Sequence, residues 1–110
     1  MPQVAILGSQ VLGMTSGEHH GHDPPHPPCT LTGVVIKGSP KMRASGIGVA
    51  LEYYPTSEDD CCGPGNGTLD KIVHKIRVSG EWAQLVGDPT IPHNGTAKIV
   101  TGTPKVYCVV

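Results

Sequence analysis

Apolar residues in this chain occur in short runs. Val4-Ala5-Ile6-Leu7, Val34-Val35-Ile36, Ile72-Val73, Ile99-Val100 and the closing Val106-Tyr107-Cys108-Val109-Val110 are separated by stretches dominated by Gly, Pro, Ser and Thr. Many of these residues are β-branched, and branched side chains suit the pleated surface of a strand. The pattern predicts short strands joined by tight turns. No segment of helix length carries a 3.6-residue apolar period. The expected fold class is all-β, with residues 1–110 forming a single domain.

The runs belong to an internal repeat. Lys41-Met42-Arg43-Ala44-Ser45-Gly46 matches Lys75-Ile76-Arg77-Val78-Ser79-Gly80, and Leu51, Pro55 and Thr56 match Leu85, Pro89 and Thr90 at the same offset of 34. A third start, Lys105-Val106-Tyr107, is cut short at Val110, and Val4-Ala5-Ile6-Leu7-Gly8 resembles the missing second half, as seen in Ala83-Gln84-Leu85-Val86-Gly87. Gly38-Ser39-Pro40 is matched by Gly102-Thr103-Pro104, whereas the middle copy keeps only a β-like run, Lys71-Ile72-Val73. Asn66-Gly67-Thr68 and Asn94-Gly95-Thr96 fit the glycosylation sequon, but Asn-Gly is first a turn signal and is read as one here. Each unit reads as strand, turn, strand, Gly turn, strand and a Pro/Gly/His/Cys-rich loop. Three such units suit a closed pseudo-threefold object in which both termini share one end.

Composition adds a need for a staple. The chain has no Phe, one Trp and three Tyr, so its core lacks large aromatic anchors. Small, core-poor domains are commonly held by disulfides, a metal or a partner, and four Cys and six His are available. The formal charge is −1 and only 15% of residues are charged, which argues against nucleic acid as a partner. The N-terminal stretch has no basic residues and no signal-peptide organisation, and no run reaches the length of a membrane-spanning helix. The expected setting is a soluble protein made in the cytoplasm, where Cys favours metal over disulfide.

The candidate ligands recur at equivalent stations. Cys29 lies twelve residues before Lys41, His93 twelve before Lys105, and Cys62 thirteen before Lys75. Threefold closure would bring them together, with His26, three residues before Cys29, as a fourth ligand. Zinc accepts Cys thiolate and His imidazole, and a closed four-ligand site is structural; iron is also compatible with these donors. A structural zinc contributes about 10–16 kcal/mol in small metal-folded domains, comparable to the whole stability of a domain, about 5–15 kcal/mol. His26, Cys62 and His93 are the leading three, with Cys29 and His22 competing for the remaining place. His19, His20 and Cys61 are neighbours in the same loops. The rival arrangement is a disulfide scaffold drawn from Cys29, Cys61, Cys62 and Cys108.

In this order the motifs resemble the PAAR-repeat family. They are Met1-Pro2 before an apolar strand, Gly21-His22, His26-Pro27-Pro28, Gly38-Ser39-Pro40-Lys41-Met42, Gly46 and Gly87-Asp88. The chain departs from the family pattern at Glu52-Tyr53, where Gly-Asp is expected, and lacks the Pro-Ala-Ala-Arg consensus. The resemblance implies a sharp cone of three β-repeats with one zinc near the apex, held by three His and one Cys. By position these would be His22, His26, Cys62 (or Cys61) and His93, whereas the repeat count favours His26 with Cys29. It also implies a mechanical role. The base would dock on a trimeric β-helical spike of a contractile phage tail, type VI secretion system or related particle, and the apex would meet the target membrane. The base would comprise Val4–Leu7, Val106–Val110, Met42–Ala44 and Ile76–Val78.

Two other classes remain in view. A free-standing zinc adaptor would keep the metal but need a polar base. A hydrolytic metalloenzyme would need an open coordination position and a base such as Asp23, Glu58, Asp59 or Asp60. No motif sets a carboxylate against a metal-bound water, so a non-enzymatic role is expected.

Overall fold

The computed structural model describes residues 3–15, 29–44, 46–60, 63–74, 76–92 and 95–103. Every regular element among them is a strand: β1 (Gln10–Met14), β2 (Thr30–Val35), β3 (Arg43–Ala44), β4 (Ile47–Gly48), β5 (Pro55–Asp60), β6 (Gly63–Leu69), β7 (Arg77–Val78), β8 (Glu81–Trp82), β9 (Pro89–Ile91) and β10 (Thr96–Ile99). Six of them close an antiparallel barrel in the order β1-β10-β9-β6-β5-β2. The remaining four make two small hairpins, β3-β4 and β7-β8. The molecule is elongated, with principal extents of 45 × 24 × 23 Å.

Below the barrel, three stretches meet in a ring. Val4 bridges Leu85, Ile6 bridges Val49, and Leu51 bridges Ala83. Ala5 N–H donates to the Gln84 carbonyl at 2.9 Å, Gln84 N–H to Ala50 at 3.0 Å, and Ala50 N–H back to Ala5 at 2.9 Å. The three residues occupy equivalent places in the repeat, and their hydrogen bonds run head to tail around a closed circuit.

Equivalent turns leave the ring. Ser9 N–H donates to Ile6, Tyr54 N–H to Leu51 and Asp88 N–H to Leu85, at 2.9, 3.3 and 3.0 Å. The third residue of each turn has positive φ: Gly8 at 90°, Tyr53 at 60° and Gly87 at 97°. Gly meets this demand without steric cost; Tyr53 meets it under strain. The alignment at Glu52-Tyr53 is therefore one residue off: Tyr53-Tyr54 occupies the place held by Gly8-Ser9 and Gly87-Asp88.

Two parts of the middle copy also differ from expectation. Gly8, Tyr53 and Gly87 donate to the carbonyls of Val35, Leu69 and Ile99. Leu69 thus fills the station that the sequence assigns to the Lys71-Ile72-Val73 run. Leu69 is fully buried, whereas Val73 is 63% exposed and lies in no strand. The reason is burial: Val35, Leu69 and Ile99 complete one core layer, and each Leu-sized side chain contributes about 1.5–3 kcal/mol when buried. Asn66-Gly67-Thr68 lies inside β6 and is not a turn. A Cβ at Gly67 would sit 2.6 Å from Glu58 Oε2 and 2.7 Å from the Ile91 carbonyl, so close strand approach selects Gly there.

The two hairpins match each other in register. Arg43 pairs with Gly48 and Ala44 with Ile47; at the offset of 34, Arg77 pairs with Trp82 and Val78 with Glu81. Val49 N–H donates to Met42 and Ala83 N–H to Ile76, both at 3.0 Å. Ser79 and Gly80 both have positive φ, at 51° and 84°, as a two-residue type I′ connection requires.

Candidate functional site

Strand register brings the ends of three strand pairs together at one end of the barrel. β1 ends at Met14, which pairs with both Thr30 at the start of β2 and Thr96 at the start of β10. Asp60 and Gly63 pair at the end of the β5-β6 hairpin, and Thr32 pairs with Asp59 across β2-β5. Three hairpins, β1-β2, β5-β6 and β9-β10, therefore open toward the same end. The connections between their strands are the segments that carry the candidate His and Cys residues.

Of those candidates only Cys29 is described; His22, His26, Cys62 and His93 lie outside the described residues, as do His19, His20 and Cys61. Cys29 is clasped by Thr15. Thr15 N–H donates to the Cys29 carbonyl at 2.9 Å, Cys29 N–H donates to Thr15 Oγ1 at 3.0 Å, and Thr15 Oγ1 lies 3.3 Å from Cys29 Sγ. Cys29 is disulfide-bonded, and the other three cysteines all lie outside the described residues. A disulfide sulfur carries no thiolate, so in this oxidised state Cys29 does not suit zinc. Among the described residues, no group of three or more His, Cys, Asp and Glu is placed to hold a metal ion.

The interior of the barrel holds polar side chains beside the buried Val11 and Leu31. Glu58 and Thr56, both buried on β5, interact through Thr56 Oγ1 donating to Glu58 Oε2 at 3.3 Å. Thr90 is also buried, and its Oγ1 has no hydrogen-bond partner. Glu58 is packed over the backbone of Gly67, away from solvent, which is a poor position for a general base acting on an incoming substrate. Asp59 is exposed on the other face of the strand. Sequence reading missed the interior role of Thr56 and Glu58. Their period-two spacing was the available signal, but the surrounding Gly, Pro and Asp residues read as loop.

At the opposite end, the ring carries the hairpins. Ile6, Met42, Ile76, Val78 and Val86 pack partly buried against the core cluster. The copies differ in how they join the ring. Ser39 N–H donates to Val49 at 2.8 Å and Thr103 N–H to Val4 at 3.0 Å. The middle copy lacks the Gly-Ser/Thr-Pro element, and the Gln84 side chain replaces its backbone bond. Gln84 Oε1 accepts from Ile72 N–H at 3.3 Å, and Nε2 donates to the carbonyls of Ile72 and Trp82 at 3.2 and 3.0 Å. The same irregular segment is held by His74 Nε2, 2.6 Å from Asp88 Oδ2, while that oxygen also accepts from Leu85 N–H at 2.8 Å.

Compared with protein-family models, curated proteins and solved structures, the chain matches none of them.

Proposed function

We propose that this chain is a structural cap for a threefold β-structured spike, acting at the tip of a contractile phage tail, type VI secretion system or related injection particle. The observation that carries this reading is the closed circuit Ala5–Gln84–Ala50. A single chain that arranges three equivalent stretches around one axis can meet three identical subunits with the same local geometry at each. The hairpins at that end also offer strand edges to cover the edges of a partner's final turn. The opposite, loop-bearing end would be the leading point that meets the target membrane. The protein would be made in the bacterial cytoplasm and assembled onto the particle.

The role of the loop end is rigidity. His26, Cys62 and His93, with His22 or Cys29 in the fourth place, would hold one structural zinc, or iron, in the reduced protein; a closed set of this kind ties loops together without an open catalytic position. The bond at Cys29 favours a second staple, in which a disulfide does the same work in an oxidising setting. Elemental analysis before and after reduction separates the two. One metal per reduced chain, lost in His93→Ala and kept in His19→Ala, supports the metal staple; a metal-free reduced chain overturns it. A free-standing zinc adaptor and a metal-dependent hydrolase are less well supported, the first by the apolar ring end and the second by the buried position of Glu58.

The direct test is electron microscopy of particles with and without this chain. Density capping the spike only when the chain is present supports the proposal. Identical spike ends in both would exclude it.

A further inference from the structure

Charge is distributed unevenly along the molecule. The first 36 residues contain no Lys or Arg. On the loop side, β5 ends in Glu58-Asp59-Asp60. The repeat motif, in contrast, places Lys41, Lys75 and Lys105 at one equivalent station and Arg43 and Arg77 at another, which accounts for five of the chain's eight cations. Lys75 and Lys105 lie outside the described residues; the other three have defined positions.

Arg43 and Arg77 stand at the same register position on β3 and β7, and both are exposed. The Arg77 guanidinium lies 5.1 Å from the Trp82 ring centroid, which fixes its plane without neutralising it. Lys41 Nζ donates to Ser79 Oγ at 3.0 Å, linking the first hairpin to the turn of the second. The one acid on the described hairpins is Glu81, half-buried on β8. The same hairpin segments carry the partly buried Met42, Ile76 and Val78 and the exposed Ile47. An apolar centre with a charged rim is the usual anatomy of a protein interface.

We infer that Arg43 and Arg77 form a basic rim that recognises carboxylates repeated by threefold symmetry on the end of a trimeric β-structured partner. This rests on the reading of the ring end as the docking face. Guanidinium groups at equivalent stations match carboxylates at equivalent stations, because the planar fork of Arg accepts a carboxylate bidentately. The third copy has Tyr107 where the others have Arg. One of the three symmetric carboxylates would then lack an Arg partner, whichever of the three equivalent settings the cap adopts on the symmetric trimer.

The test is the affinity of the full chain for a trimeric β-helical spike protein from the same source, measured across a salt series. The chains compared are the natural one, Arg43→Glu, Arg77→Glu and the double variant, with anionic phosphatidylserine-containing vesicles run in parallel. Both side chains are exposed, so Arg43→Glu should melt like the parent and Arg77→Glu should lose only its contact with the Trp82 ring; melting of each variant serves as the folding check. The expected result is that affinity for the trimer falls on the order of tenfold per reversal, and that the salt dependence flattens in the double variant. Changing the facing partner carboxylates to Lys should restore binding to the double variant. Equal affinity of parent and double variant would overturn the basic rim while leaving the docking face intact. No binding of the parent chain to the trimer would overturn the docking reading itself. Arg-dependent binding to the vesicles with none to the trimer would assign the rim to a membrane surface and also overturn the inference.

Discussion

The backbone N–H of Ala5 donates to the carbonyl of Gln84 at 2.9 Å, although the two residues lie far apart in the sequence. That bond joins the N-terminal half-unit, which completes the split third copy, to the middle copy and makes the ring possible. Gln84 contributes twice, since its side chain also supplies the middle copy's missing backbone contacts. Gln84→Ala should strip the partners from the Ile72 N–H and C=O while leaving the ring backbone in place. An unsatisfied buried polar group costs about 1–3 kcal/mol. Denaturant unfolding should show a loss in that range. An unchanged midpoint would mean that the Gln84 amide contributes nothing to the closure.

Tyr53 is the non-glycine member of three equivalent positive-φ turns. Left-handed backbone costs an L-residue about 1–2 kcal/mol, a penalty that Gly escapes. Its side chain is 55% exposed, so little packing is lost on removing it. Tyr53→Gly should therefore raise the unfolding midpoint, whereas Gly8→Ala and Gly87→Ala should lower it. The reverse ordering would show that the turns are not equivalent.

Leu69 and Val73 separate the observed middle strand from the run expected from sequence. Leu69→Ala empties a position in the layer shared with Val35 and Ile99 and should cost about 2–5 kcal/mol. Val73→Ala, at an exposed site outside any strand, should stay within about 0.5 kcal/mol. Calorimetry of both variants provides the comparison.

Tyr54 gives the protein an alkaline limit. Burial, and then the negative charge of Glu81, raise its hydroxyl above the ordinary 10.0, while the hydrogen bond with Ser39 opposes them. The folded protein therefore holds this proton to higher pH than the unfolded chain does. The contribution is complete below pH 10.0 and is lost as pH rises through the higher folded value. Stability should fall with pH in that window, and Tyr54→Phe should remove this part of the slope. An identical slope in the variant would assign the loss to other groups.

The all-β class and the offset-34 hairpins were legible because local chemistry and tertiary structure agree there. Arg43-Ala44 and Arg77-Val78 sit on β-like runs followed by Gly at positive φ. β5 and β6 were not legible. Pro55-Thr56-Ser57-Glu58-Asp59-Asp60 and Gly63-Pro64-Gly65-Asn66-Gly67-Thr68-Leu69 have poor intrinsic strand preference. They pair because barrel closure needs two strands between β2 and β9, and the narrow interior accepts Gly67 where a larger residue would collide with Glu58. At the loop end, strand register brings together the strand ends that flank the ligand-bearing segments. Counting residues from the Lys starts could not reveal the bond at Cys29, because both metal and disulfide use the same residue type at the same station.

The central claim is that one chain caps three identical subunits. Native mass spectrometry of the chain mixed with a trimeric β-helical spike protein from the same source tests it most directly. The account predicts a single complex of one cap on one trimer, with no second cap bound at excess. A chain that stays monomeric beside an unoccupied trimer, or that binds three copies per trimer, would contradict it.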